Sequence, residues 1–430
     1  MDVDGSEDDE NGSEDDGDDS GGDEGDSEGD GDGSESDEGD TEDDKNGSES
    51  DEDGKRATIQ FSLIYNCPWT TNFRFPPVQK FRKSRKCSKV LPSSPTQTFK
   101  RLFCNKVFNL ILEQTNIYGR QKCAKGGDVI RWIDIEKSQL EKFIGINIIM
   151  GYCKNPSIDS YWSTDESFRN GRISMSMPRN SFKRILGNIH LVDNSNAEKQ
   201  KELAPNKLYK VSHCLKLLKQ NFQTHFDLGE KLTIDEMMIK FKGRSSLKQY
   251  IKQKPIKRGY KVWILADTST GYVYNFDIYS GKSIERQVPL GEHVVWSLTR
   301  ELSMKFYHIY FDNFFTSPCL VEKLLEDGIY CTGTLRSNRR GVPAELIRNI
   351  KMNRGDAKFL AIDSISIVKW MDSKPVLMMS NIADPRIMTN ITRKLKNGKS
   401  QNESIRGNTR SSQAGLLHHD SSSAHDHREL

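Results

Sequence analysis

The chain has 430 residues, 35% of them apolar, enough for two or three domains with a sizeable core. Its formal charge of +2 conceals a division: 28 of the 61 acidic residues lie in residues 1–54 against one lysine, leaving 62 Lys/Arg against 33 Asp/Glu in residues 55–430, a net +29. An acidic start argues against a secretory signal, no run approaches the ~18 apolar residues of a membrane span, and eight scattered cysteines without a C-x-x-C pair argue against a zinc site or disulfide framework; a soluble intracellular protein with a polyanionic partner is expected.

Residues 1–54 are Asp, Glu, Gly and Ser almost throughout, with no aromatic side chain. They cannot bury enough apolar surface to offset the entropy of ordering, so a disordered arm is expected. Such an arm solubilises the chain, competes with DNA for the basic body, or binds basic proteins such as histones. Residues 55–95 read as a basic linker, in which K-F-R-K-S-R-K-C-S-K at 80–89 suits nuclear import, phosphate contact or simple solvation.

From residue 96 the apolar period becomes helical. T-F-K-R-L-F-C-N-K-V-F-N-L-I-L-E puts Phe99, Leu102, Phe103, Val107, Leu110 and Ile111 on one stripe. A second helix is predicted over 138–151, with Ser138 as N-cap and Glu141 completing a capping box. Further helices follow over 177–191 and 208–222. Residues 96–230 therefore read as a mostly helical DNA-binding or dimerisation region.

At residue 231 the pattern changes. A strand is predicted over 232–240, then a basic connection over 243–259, then strands over 260–267 and 272–279 joined by a T-S-T-G turn. A helical stretch (290–302), an apolar strand (306–311), a helix (316–326) and a strand (328–334) complete the series. Pro318 sits near the first position of its helix, where its missing N–H does no harm. Three strands, then helix, strand, helix, strand is the order of a ribonuclease-H-like α/β core, a mixed sheet with flanking helices, assigned here to residues 231–340. Short β-like runs in 341–392 read as a partial β-rich insertion, and 393–430 as a disordered polar tail. The four histidines after Leu417 have no cysteine partners and make a poor zinc site.

Two acids stand out in this core. Asp235 lies inside L-T-I-D-E-M-M-I-K-F, and Asp312 directly follows F-Y-H-I-Y-F. Taken singly, each is more often a turn or cap residue. Taken together, on two strands of a rigid sheet in a basic body, they suit a shared divalent cation and phosphoryl-transfer chemistry.

The chain resembles the piggyBac transposases and their domesticated descendants in five blocks: I-N-I-I-M-G-Y-C-K-N-P-S-I-D-S-Y-W-S, M-P-R-N-S-F-K-R-I-L-G-N-I-H-L-V-D-N, L-T-I-D-E-M-M-I-K-F-K-G-R, K-P-I-K-R-G-Y-K-V-W-I-L-A-D and Y-F-D-N-F-F-T-S. The similarity runs from about residue 60 to about 385. It implies a DDE/D-type cut-and-paste transposase that uses Mg²⁺, acts on double-stranded DNA in the nucleus, and works as a homodimer. Asp235 matches the first catalytic acid and Asp312 the second; both would be metal ligands. Arg244, Lys248, Lys252, Lys254, Lys257, Arg258 and Lys261 would line the DNA. Asp267 falls in a family block but reads as the acid of the D-T-S-T-G turn. The family's third catalytic acid, in a Y-N-x-x-M-G-G-V-D block, has no counterpart; the acids left are Asp356, Asp363, Asp372 and Asp384. The expectation is a DNA-binding protein with an incomplete catalytic set. The alternatives are an active enzyme with a non-standard third acid, and a non-enzymatic chromatin factor acting through its acidic arm.

Overall fold

The computed structural model describes residues 67–83, 94–126, 132–196, 207–252, 254–281, 288–348, 351–394 and 400–406. The acidic arm, most of the basic linker and residues 407–430 lie outside the described residues. The chain divides into Met1–Ile59, which is not described, and Gln60–Leu430, which holds every element below.

The helical region opens with α1 (Pro95–Leu102) and α2 (Asn105–Gly126). The sequence pattern suggested one continuous helix here. It breaks at Phe103, whose backbone leaves the helical region. The Leu102 carbonyl freed by the break accepts from Asn221 Nδ2 at 2.8 Å, so a residue 119 positions away caps the end. The next helix, α3 (Lys137–Tyr152), starts one residue before the expected cap. Glu136 holds the N-cap position and its N–H donates to Gln139 Oε1 at 2.9 Å; Ser138 instead donates to Glu136.

Two short helices, α4 (Gly171–Ser176) and α5 (Arg179–Leu186), and the longer α6 (Tyr209–Thr224) complete the layer. The α5 helix is shorter than predicted because Gly187 caps it. Val107, Phe108, Leu140, Phe143, Phe182 and Ile185 form its apolar core. A buried amide ties it together: Asn116 donates to Ile135 O at 3.0 Å and accepts from Ile135 N at 2.9 Å and Trp132 Nε1 at 3.2 Å.

The sheet comprises β1 (Lys231–Lys240), β2 (Gln249–Tyr250), β3 (Arg258–Asp267), β4 (Val273–Ile278), β5 (His308–Phe311), β6 (Tyr330–Leu335), β7 (Ala357–Ile362), β8 (Ile365–Met371) and β9 (Pro375–Ser380). Its order is β2-β3-β1-β5-β6-β9-β8-β7, with β4 also paired to β3. β3 lies antiparallel to β1, β5 and β6 run parallel with β1, and β9 turns antiparallel to β6. Residues 357–380, read from sequence as an insertion, thus extend the same sheet through β9. A separate hairpin, β10 (Met388–Lys394) with β11 (Ser400–Arg406), runs from the end of the expected β-rich region into positions expected to be disordered tail.

Alternation along β1 and β5 sends Leu232, Ile234, Ile309 and Phe311 to one face. Helices α7 (Leu290–Thr299) and α8 (Pro318–Glu326) cover that face with Val295, Leu298, Leu320 and Leu324. The opposite face of the central strands is buried but polar. His308 is hydrogen-bonded to Thr332 Oγ1 (2.9 Å) and Tyr310 Oη (3.1 Å), and Thr332 to Ser380 Oγ (2.8 Å). Burial pushes the His308 pKa down to about 3, with Lys231 adding to the effect, so this imidazole is neutral.

Candidate active site and the basic cleft beside it

Parallel pairing is what brings the two sequence-predicted acids together. β1 and β5 are in register at Leu232↔Ile309 and Thr233↔Tyr310. The pairing ends there, and each acid follows two residues later on its own chain segment, so Asp235 and Asp312 leave the same end of the paired strands, where the Asp235 and Glu236 carboxylates both act on Asp312. Asp235 Oδ1 accepts from the Glu236 N–H at 2.7 Å, and Asp312 Oδ1 from the Phe314 N–H at 3.0 Å. Burial pushes the Asp312 pKa up to about 6, and the Glu236 and Asp235 carboxylates push the same way against Arg336 and the Phe314 N–H.

The turn after β5 is held from several sides. Thr316 donates to Asp312 O at 2.8 Å. Arg336 Nε donates to Asn313 Oδ1 at 3.0 Å, and Arg339 Nη2 to Phe314 O at 2.7 Å. Gly333 on β6 permits the close approach: a Cβ there would lie 2.3 Å from Thr316 Oγ1 and 2.7 Å from the Phe311 ring. Sequence reasoning missed Glu236, Arg336 and Arg339. The D-E dipeptide was a usable signal for the first; the arginines follow β6, and only the β5–β6 pairing carries them to this turn.

The other acids lie elsewhere. Asp267 is the turn acid its context suggested: Oδ1 accepts from the N–H groups of Ser269 and Thr270, both at 3.0 Å, and Oδ2 from Gly229 N at 2.7 Å. Although burial opposes it, hydrogen bonds from the Ser269 hydroxyl, the Gly229 N–H and the Thr270 hydroxyl and N–H hold the carboxyl below its ordinary range. Asp356 closes a turn with Asn353 N, and Asp363 sits at the β7–β8 turn with φ +48°. Asp372 follows β8, three strands from β5 in the sheet order, and pairs with Arg354 at 3.0 Å. Asp384 follows β9, which runs antiparallel to β6 and so leaves the sheet at the end away from Asp312; it pairs with Arg386. Among the described residues, no group of three or more His, Cys, Asp or Glu side chains is arranged to hold a metal ion.

The seven basic residues proposed to line DNA divide. Lys254 turns inward, its Nζ 3.1 Å from Glu236 Oε1 beside the carboxylate pair. Lys261 lies over the rings of Phe314 (4.9 Å) and Trp263 (5.8 Å). Arg244 and Lys252 are exposed on the connection. The other three, Lys248, Lys257 and Arg258, join Lys240 and Lys242 around a cleft of about 560 Å³. Tyr250 forms part of its wall, with the Arg258 guanidinium 5.1 Å over its ring.

A mixed sheet with two carboxylates near the ends of adjacent parallel strands is compatible with a transposase-like DDE domain, and the comparison with known families supports that class. A family model described as Transposase IS4 matches residues 94–414. Human piggyBac transposable element-derived protein 3 is 30% identical over 305 residues, covering 67% of this chain and 48% of that protein. Human piggyBac transposable element-derived protein 2 is 29% identical over 298 residues, with the same coverages of 67% and 48%. Among solved structures, the piggyBac transposase synaptic complex with hairpin DNA aligns with a TM-score of 0.63 and 25% identity, over 72% of this chain and 65% of that one. The chain belongs to the piggyBac transposase-derived family. It spans about half the length of these two human relatives.

Proposed function

We propose that this chain is a nuclear DNA-binding protein of transposase descent whose carboxylate pair is not completed to a full cleavage site. The proximity of Asp235 and Asp312 carries the reading: the nearby Glu236 is paired with Lys254, and among the described residues no group of three or more His, Cys, Asp or Glu side chains is arranged to hold a metal ion. The strand order, three antiparallel strands continued by two parallel ones, supports a ribonuclease-H-like core. Double-stranded DNA as partner is supported by the +29 body and by the basic cleft near the acids.

The pair suits one hard cation such as Mg²⁺, which is commonly held by one or two carboxylates with water and substrate phosphate filling the rest. Asp235 and Asp312 would hold it, and it would supply charge neutralisation at a phosphate. Two-metal cleavage needs more carboxylate than the pair offers, and Asp372 and Asp384 are held by arginines away from it. The Asp312 carboxyl, raised to about 6, ionises readily only above that pH, so metal affinity should rise between pH 5 and 7.

A nicking assay on duplex DNA with Mg²⁺ or Mn²⁺ tests the reading. The expected result is salt-dependent binding without cleavage. Metal-dependent nicking that Asp235→Ala abolishes would overturn the incomplete-site reading, and absence of duplex binding would overturn the DNA-binding one.

A further inference from the structure

The cleft at the far end of β1 is more than a cationic surface. Lys240, Lys242, Lys248, Lys257 and Arg258 line it, and no acidic side chain does. Its volume, about 560 Å³, falls in the ~300–1,000 Å³ range of small-molecule sites. Its wall includes an aromatic ring that the fold leaves open: Tyr250 is 54% exposed, and Ile256, which also lines the cleft, is 37% exposed. A duplex backbone asks only for cations. A cleft that adds an open ring backed by a guanidinium presents a stacking platform among phosphate contacts, the combination used for unpaired nucleotides.

The platform is built by the strands rather than left to a loose loop. Tyr250 pairs with Arg258 in the β2–β3 ladder, and Ile251 N donates to Lys257 O at 2.8 Å. Gly259, next to Arg258, makes this possible: a Cβ there would lie 2.0 Å from Ile239 O, so only glycine lets β3 approach β1 at this point. Phe241, which also lines the cleft, packs on Tyr260 with ring centroids 4.8 Å apart. The cleft and the carboxylates share β1: Lys240 is five residues beyond Asp235, about 16 Å along the strand.

The geometry points to a site for an unpaired nucleotide in this cleft, its base stacked on Tyr250 and its phosphates held by Lys240, Lys242, Lys248 and Lys257. The inference rests on the DNA-binding reading and narrows it: this part of the chain prefers a strand extending past a duplex end to the duplex itself.

Fluorescence anisotropy on the full chain tests it, using a blunt duplex and the same duplex with a short single-stranded extension. The extended form is expected to bind about tenfold tighter. Tyr250→Ala should abolish that preference, and Tyr250→Phe, which keeps the ring, should retain it. Lys257→Ala should weaken both forms alike and lower the salt slope by about one. A 2-aminopurine in the extension should be quenched on binding to the wild type and not to Tyr250→Ala. Equal binding of the two duplexes, or a preference that survives Tyr250→Ala, would overturn the inference and leave the DNA-binding reading standing. Binding of neither would overturn both.

Discussion

Replacing Asp312 by Asn should stabilise this protein at neutral pH. The folded-state pKa is raised from 3.8 to about 6, chiefly by burial and then by the Glu236 and Asp235 carboxylates. A shift of about two units is worth roughly 3 kcal/mol at ~1.36 kcal/mol per unit. The sign follows from linkage. The folded state holds the proton more tightly than the unfolded chain, so below about pH 4, where both are protonated, the site costs nothing. As pH rises from about 4 to about 6 stability falls, and above about 6 the full cost is present. Asparagine is never charged, and its Oδ1 still accepts from the Phe314 N–H that Asp312 now uses. Urea unfolding should therefore show little difference between Asp312→Asn and wild type near pH 4, and a gain of about 1–3 kcal/mol for the variant at pH 7.5. Added Mg²⁺ should reverse the order by stabilising the wild type alone, since a cation that binds only the folded state adds RT ln(1 + [L]/Kd). A variant less stable than wild type at pH 7.5, or a gain independent of pH, would refute the reasoning.

Glu236→Gln should lower the Asp312 pKa toward its ordinary value, because the larger of its two carboxylate neighbours loses its charge; a carboxyl-carbon NMR titration checks this. Gly333→Ala should cost about 1–3 kcal/mol by overpacking, since the new methyl meets Thr316 Oγ1 and Phe311, and urea unfolding measures it. Removing residues 1–54 takes away 28 acids and one lysine, so duplex affinity should rise at low salt and converge with full-length protein at high salt, where the charges are screened.

Much of the site was legible because its signals are local. Asp235 interrupts an apolar strand, Asp312 directly follows one, and Asp267 stands at the head of a Thr/Ser/Gly turn. Lys254 was misleading for the opposite reason. Its neighbours in sequence are basic, but folding of the β2–β3 connection carries it to Glu236, and Lys261 likewise ends on aromatic rings rather than facing outward. A strand's period tells which residues share a face; it does not tell which strand lies beside it. The same limit hid the place of 357–380: the β6–β9 pairing, Thr332↔Ser380 through Leu335↔Leu377, joins them to the sheet, and no local pattern announces it.

By itself, then, the sequence determined the family, the charge division between arm and body, and the strands in or next to which Asp235 and Asp312 lie. These rest on composition, period and short motifs, all of which act over a few residues. Tertiary structure alone decided that Asp235 and Asp312 are neighbours, that Glu236 joins them and raises the cost of ionising Asp312, that Asp372 and Asp384 are held elsewhere, and that Tyr250 opens into a cleft of cations. Each of those facts depends on the register between segments tens of residues apart, which backbone pairing and core packing select together.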